Sequence, residues 1–289
     1  MSAMDNLWEQ AELTRRQIIA SGAVTGVITG FAASVQPVMA QTMIMTDPAG
    51  LDHGMVEIPT PTGPIPAYRA TPQGGGRRPL VLVVQEIFGV HEHIKDVCRR
   101  FAKAGYTAVA TSLFDRQGDV TKLASFDEIR PIVARVPDRQ VMGDLDATVS
   151  WAVKAGIADE GKVGITGFCW GGRITWLYSA HSTAVKAGVA WYGRLVGDKT
   201  ELQPAHPVDI AGRLNGPVLG LYGGQDTGIP LATVEQMKAA LGAGSKSTFH
   251  VYPDAPHAFY ADYRPSYRAE AAADGWQRCL AWFRQNGLA

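Results

Sequence analysis

The stretch Gly164-Ile165-Thr166-Gly167-Phe168-Cys169-Trp170-Gly171-Gly172 decides the fold of this chain. An apolar run leads into it, and a helix-compatible segment, residues 173–180, follows it. This order predicts a strand, a sharp turn and a helix with Cys169 at the apex, the nucleophile-elbow pattern with Cys in place of Ser. Gly167 and Gly171 keep Cβ atoms out of the crowded turn. The positive end of the helix would favour the thiolate form, whereas a Gly-rich turn around a small buried Cys is the alternative.

Outward from this turn, apolar runs alternate with amphipathic segments. Strands are predicted over residues 79–85, 106–112, 162–169, 185–191, 218–222 and 247–252, with helices over 93–103, 138–155, 173–180, 231–241 and 267–286. Residues 55–58 and 65–70 predict an opening hairpin at the sheet edge. The pattern indicates an α/β fold, with a mainly parallel central sheet and helices on both faces.

Four side chains with useful chemistry directly follow or end predicted strands: Glu86, Cys169, Asp226 and His257. In parallel sheets the working residues gather at the carboxyl ends of strands, so these four are expected to meet. The order Cys169, Asp226, His257 is the nucleophile–acid–histidine order of the α/β-hydrolase fold. His257 would accept the thiol proton and Asp226 would orient the imidazole. Taken singly, His257 also fits a capping histidine and Asp226 a turn residue.

Two backbone N–H groups are the candidates for an oxyanion hole. One belongs to Trp170, which follows the nucleophile, and the other to Ile87, in the loop after the first central strand. Tyr192, at the end of its own strand, is predicted as a pocket wall or as an ordinary strand-end aromatic. His91-Glu92-His93 offers no helix-face spacing for a metal, and His93 more simply begins a helix.

Four motifs together resemble the dienelactone hydrolase family, which are carboxymethylenebutenolidases on an α/β-hydrolase fold. They are Gln85-Glu86-Ile87-Phe88-Gly89, the Cys169 elbow, Tyr222-Gly223-Gly224-Gln225-Asp226 and Pro256-His257-Ala258-Phe259. The resemblance spans most of residues 55–283. It implies cofactor-free hydrolysis of a small-molecule ester or lactone through an acyl-cysteine. The alternative is a non-hydrolytic scaffold that binds a small molecule or senses thiol redox state.

The resemblance also assigns roles around the thiol. In the family, the glutamate at the position of Glu86 helps to take the thiol proton, and a nearby carboxylate disfavours a second negative charge and so shields the Cys from oxidation. A loop salt bridge is the alternative role for Glu86. Family arginines hold a substrate carboxylate; Arg116 matches one position. Ala261 stands where the second is expected, and Arg264 could substitute, so the substrate need not be dienelactone itself.

Composition and the N-terminus set the cellular context. Lys+Arg and Asp+Glu both number 27, which excludes the charge bias typical of nucleic-acid or anionic-membrane binding.

The N-terminus predicts a twin-arginine signal over residues 1–40, based on Thr14-Arg15-Arg16-Gln17-Ile18-Ile19 and on the small residues before Gln41. An extended arm over 41–54 and one domain over 55–289 are predicted to follow. An uncleaved anchor is the alternative. The signal predicts passage through the twin-arginine machinery to a periplasmic or secreted location, without stable membrane association after cleavage. There, Cys98 and Cys279 could pair or remain separate buried thiols.

Overall fold

The structure is a computed structural model that describes residues 43–123 and 125–289. The predicted twin-arginine signal therefore lies outside the described residues, and export remains a prediction from the sequence. None of the helices in the described part of the chain is long and apolar enough to span a membrane.

The described residues form one sheet of eight strands in the order β1-β2-β4-β3-β5-β6-β7-β8. The strands are β1 Leu51–Ile58, β2 Ile65–Pro72, β3 Arg78–Val84, β4 Thr107–Thr111, β5 Ala158–Phe168, β6 Val185–Trp191, β7 Val218–Gly223 and β8 Thr248–Tyr252. The β1–β2 hairpin is antiparallel and pairs antiparallel with β4, and every other pairing is parallel. The prediction of a mainly parallel sheet with an edge hairpin is confirmed.

Seven α-helices lie in the described ranges. They are α1 Glu92–Lys103, α2 Phe126–Val133, α3 Asp138–Lys154, α4 Trp170–His181, α5 Pro207–Ile210, α6 Leu231–Leu241 and α7 Ala269–Gln285. Alternate residues of β3 belong to different apolar clusters: Val81 and Val83 pack with α1, α6 and α7, whereas Leu80, Leu82 and Val84 pack with α2, α3 and α4. Because successive strand side chains point to opposite faces, helices cover the sheet on both faces, as predicted.

The N-terminal arm is shorter than predicted, because β1 begins at Leu51 rather than at residue 55. The residues before β1 also contact the domain: Thr46 donates from its N–H and its hydroxyl to Asp96 of α1, at 2.7 and 3.1 Å. The sequence interpretation assigned no helix at α2, which begins with a capping box formed by Ser125 and Glu128.

Candidate active site

The elbow has the geometry that its sequence predicts. Cys169 lies alone between the end of β5 and the start of α4, half-buried, with φ 54° and ψ −112°. Such a positive φ is strained for a residue with a side chain and is held only by tight surroundings. A Cβ on Gly171 would lie 2.6 Å from the Gln85 carbonyl oxygen, and one on Gly167 would collide with the Gly171 carbonyl. The two glycines therefore let the elbow backbone pack directly against itself and against the end of β3.

His257 and Asp226 form a hydrogen-bonded pair at the carboxyl ends of β8 and β7. His257 Nδ1 lies 2.6 Å from Asp226 Oδ2, and the Asp226 side chain is almost fully buried. The other carboxylate oxygen accepts the N–H groups of Gly228 and Ile229, each at 3.0 Å. With both oxygens occupied, Asp226 is fixed in the orientation that aims the imidazole.

The loops that carry the pair are tied to each other by backbone hydrogen bonds. The Gly224 N–H donates to the Tyr252 carbonyl at 2.8 Å, and the Gln225 N–H donates to the Ala255 carbonyl at 3.0 Å. Ala258, directly after His257, takes a positive φ of 58° that turns the chain back into the domain. The spacing of Asp226 and His257 is thus set by the backbone.

The Cys169 side chain affects the pKa of the His257 imidazole. Burial alone would lower the pKa of His257, but the charge of Asp226, the charge of Cys169 and hydrogen bonds to both side chains raise that pKa to about 10. His257 Nε2 is buried and has no partner in the described residues that meets ordinary hydrogen-bond geometry, so its contact with the thiol is loose. Such contacts often tighten only when substrate is bound. The structure therefore brings Cys169, His257 and Asp226 together.

Glu86 is completely buried behind this group and faces two side chains that the sequence interpretation did not single out for it. Its Oε2 accepts a 2.6 Å hydrogen bond from the Tyr263 hydroxyl and lies 3.7 Å from His91 Nε2. Burial would raise the pKa of Glu86, but the nearby His91 side chain and the charges of Arg264 and His93 lower it to about 2. Burial also lowers the pKa of His91, and the 3.7 Å separation of its Nε2 from Glu86 is too long for a hydrogen bond. A role for Glu86 toward the thiol remains a prediction.

We expect Glu86→Gln to lower the free energy of unfolding at pH 7 by a few kcal/mol, because the buried carboxylate is more stable charged than neutral. Because the pKa of Glu86 is depressed in the folded state, its ionised form stabilises the fold at pH values above the unfolded-state pKa near 4.5. This stabilisation is lost as the pH falls toward 2. Urea unfolding at pH 7 and at pH 3 measures the difference. The exposed Glu201 provides the control, since Glu201→Gln should change little at either pH. An equal destabilisation by Glu86→Gln at both pH values would contradict the assignment of charge at Glu86.

Tyr192 lines the same group of residues. Its side chain is fully buried, its φ is 38°, and its ring meets the His257 ring edge-on, with centroids 5.2 Å apart. Burial, followed by the charge of Glu86, raises the pKa of Tyr192 well above its ordinary value. The Tyr192 hydroxyl is buried and lacks a hydrogen-bond partner among the described residues. It is a donor available to a bound molecule.

The backbone segments that carry the two predicted oxyanion donors approach each other. Trp170 is the first residue of α4, where N–H groups have no intrahelical acceptor. Ile87 follows β3 by three residues, within a turn closed by a 3.3 Å bond from the Gly89 N–H to the Glu86 carbonyl. The close approach of Gly171 to the end of β3 places these two backbone segments side by side.

The two arginines predicted to bind substrate have different surroundings. The Arg116 guanidinium donates to Asp144 at 2.6 Å and to Thr60 at 2.8 Å. These contacts occupy it and do not favour a role in binding a substrate carboxylate. The Arg264 guanidinium instead lies over the Phe88 ring, 5.3 Å from its centroid, and its charge acts on Glu86. Arg264 therefore lies beside Glu86, whereas Ala261 carries only a methyl group and cannot bind a carboxylate.

Several residues around the site escaped the sequence interpretation. Arg194 follows Tyr192 by two residues just beyond the end of β6, so strand-end position was a usable signal for it. Tyr263 lies in the loop before α7, and its only signal was that it directly precedes Arg264. Behind them, buried His93 pairs with Asp262 at 3.0 Å. The described residues hold no group of three His, Cys, Asp or Glu side chains arranged to bind a metal ion.

The other two cysteines are remote from this chemistry. Cys98 lies in α1 and Cys279 in α7, both are fully buried, and neither forms a disulfide. Burial raises the pKa of each thiol well above its ordinary value, which suppresses thiolate reactivity. A redox switch would need a reactive resolving thiol beside Cys169, and these two cysteines do not provide one.

The sheet, its crossing helices and the elbow between β5 and α4 define an α/β-hydrolase fold. The sequence profile of the dienelactone hydrolase family matches residues 65–287, and the chain belongs to that family. It is accordingly a carboxymethylenebutenolidase-like carboxylic ester hydrolase.

Individual relatives agree with this placement. A candidate carboxymethylenebutenolidase of Methylorubrum extorquens is 60% identical over 100% of both chains. The crystal structure of a candidate dienelactone hydrolase from Klebsiella pneumoniae is 54% identical, covers 81% of this chain and 99% of its own, and superimposes with a TM-score of 0.79. A candidate 2-oxo-3-(5-oxofuran-2-ylidene)propanoate lactonase of Bradyrhizobium is 31% identical over 75% of this chain and 88% of its own.

Proposed function

We propose that this protein hydrolyses a small ester or lactone through a Cys169–His257–Asp226 triad and an acyl-cysteine intermediate. The observation that carries the proposal is the position of His257, whose Nδ1 is held by Asp226 at 2.6 Å while the Cys169 side chain acts on the same ring from the elbow. The raised pKa of His257 favours an imidazolium beside the thiol, and an imidazolium favours the thiolate nucleophile.

In the first half of the reaction, the Cys169 sulfur attacks the carbonyl carbon. The oxygen becomes an oxyanion that the N–H groups of Trp170 and Ile87 can stabilise. When the tetrahedral intermediate collapses, the carbon–oxygen bond to the leaving group breaks and His257 gives its proton to that oxygen. In a lactone, the leaving hydroxyl or enol stays attached to the acyl part.

In the second half, His257 takes a proton from water as the water oxygen attacks the thioester carbonyl. Collapse expels the Cys169 sulfur, which leaves a carboxylic acid and restores the starting pair of sulfur and imidazole. The balance requires only water, so the reaction needs no cofactor. The buried Tyr192 hydroxyl, which lacks a partner in the described part of the chain, is placed to donate to the substrate.

Two observations favour a substrate that carries an acidic group. The Bradyrhizobium relative is named for a lactone of a propanoate. At this site, the Arg264 guanidinium stacks on Phe88 and makes no ion pair among the described residues, so it can receive a carboxylate.

Mass spectrometry of the intact protein mixed with p-nitrophenyl acetate, an enol lactone or a carboxylate-bearing dienelactone tests the proposal. Reactions are quenched at short times while product release is followed in parallel. We expect a transient acyl adduct that peptide mapping locates on Cys169, at a rate that matches turnover. Turnover without any adduct, or an adduct on another residue, would refute the acyl-cysteine mechanism.

A further inference from the structure

Arg194 belongs to a loop that passes directly over the elbow. Tyr192 and Gly193 connect it to the end of β6, and a Cβ on Gly172 in the first turn of α4 would lie 2.7 Å from the Gly193 Cα. Two residues before Arg194, the Tyr192 ring packs against His257. The backbone on the N-terminal side of Arg194 is therefore fixed to the nucleophile's helix and to the catalytic histidine.

The Arg194 guanidinium has no counter-charge in contact with it. Its Nη2 atom is buried and has no hydrogen-bond partner in residues 43–123 and 125–289, and the ion pairs found there do not include it. Arg173, close by, shows the usual arrangement, because both of its terminal nitrogens donate to Asp138 at 2.7 Å. A half-buried guanidinium with a buried nitrogen that lacks such a partner retains unused hydrogen-bonding capacity.

The electrostatic surroundings agree with that geometry. Burial lowers the pKa of Arg194, and the charge of Arg173 lowers it further. The opposing influences come from Cys169 and Asp198, and each acts on Arg194 as a charge without a hydrogen bond. Together with the close approach of Gly193 to Gly172, this effect places Arg194 in the electrostatic surroundings of the nucleophile.

We propose that Arg194 binds an anionic group of the substrate, a carboxylate on the acyl part, and so selects acidic esters or lactones. This inference rests on the proposed hydrolase function. A carboxylate is the group that a planar guanidinium binds best, through two parallel hydrogen bonds. Arg194 lies on the β6 side of the nucleophile and is separate from Arg264, whose neighbours are Phe88 and Glu86.

A matched pair of substrates tests this role. The p-nitrophenyl monoester of glutarate carries a carboxylate on its acyl chain, whereas p-nitrophenyl butyrate is a neutral ester with the same leaving group. For Arg194→Met, we expect kcat/KM on the glutarate ester to fall roughly 10- to 100-fold relative to the butyrate ester, mainly through KM. Arg194→Lys should recover part of the preference, because it restores the charge but not the planar fork.

Arg135→Met is the control, since this exposed arginine donates only to the backbone carbonyls of Pro131 and Gln117 and its loss should leave the ratio unchanged. An unchanged ratio in Arg194→Met would overturn the proposal. An equal fall on both esters would also overturn it and would assign Arg194 to the thiolate.

Calorimetric binding of glutarate to the wild type and to Arg194→Met supplies a readout without turnover. Binding that is lost in Arg194→Met supports the inference even if neither ester is hydrolysed, and equal binding by both proteins counts against it. If neither ester is hydrolysed, the hydrolase proposal is weakened separately. Hydrolysis of both esters with no effect of Arg194→Met would refute only the role of Arg194.

Discussion

Replacement of Cys169 by alanine is expected to lower ester turnover by about five orders of magnitude. The change removes the sulfur that would carry the acyl group and leaves the oxyanion donors and the His257–Asp226 pair in place. These remaining groups can supply only weak residual catalysis. Steady-state rates with p-nitrophenyl acetate, together with intact-protein mass spectrometry to show that no adduct forms, measure the effect.

Cys98→Ala is the matched control, because it removes another thiol that is fully buried within α1. It should keep kcat near the wild-type value while lowering the free energy of unfolding by about 1–2 kcal/mol through the small cavity it leaves. Thermal unfolding of Cys169→Ala should give a Tm close to that of the wild type, since Cys169 is only half-buried. Substantial turnover by folded Cys169→Ala would show that another nucleophile or a water-only mechanism operates.

Elements with a continuous apolar run between clear turn residues could be predicted to the residue. The bounds of β6 and α6, Val185–Trp191 and Leu231–Leu241, match the prediction. The predicted start of β1 was wrong, because the first residues of the strand include exposed Asp52 and His53, which give no apolar alternation at a sheet edge. Helix α2 is short and contains Pro131, which argues against a helix from sequence alone.

The candidate site was also predictable only in part. Each member of the Cys169, Asp226 and His257 group follows a strand, so one topological rule was enough to predict that they meet. Whether each arginine is free to bind substrate could not be predicted in that way, because the answer depends on partners that are distant in sequence. Asp144 occupies Arg116 from a helix, whereas Arg194 lacks such a partner among the described residues. Sequence position locates a guanidinium near a strand end but does not reveal whether another side chain neutralises it.

Asp226→Asn is expected to lower kcat/KM near neutral pH by roughly three to four orders of magnitude. The charge of Asp226 is the largest influence that opposes burial at His257, so without it burial dominates and the pKa of His257 falls from its value of about 10. A neutral imidazole carries no positive charge to support the attack of the Cys169 sulfur. An NMR titration of the His257 ring signals from pH 5 to 11 should show the lower pKa of His257 in the variant, and the pH profile of kcat/KM should change with it.

The same substitution has a stability signature with a defined sign. The folded-state pKa of His257 lies above its unfolded value near 6.5, so the pair stabilises the fold fully below pH 6.5 and loses this effect as the pH rises toward 10. The difference in unfolding free energy between wild type and Asp226→Asn should therefore be largest in mild acid and shrink as the pH approaches 10. Asp254→Asn, an exposed change in the loop that carries His257, should show neither trend. A wild-type titration of His257 in Asp226→Asn would mean that Asp226 only fixes the loop, and that the imidazolium does not depend on its charge.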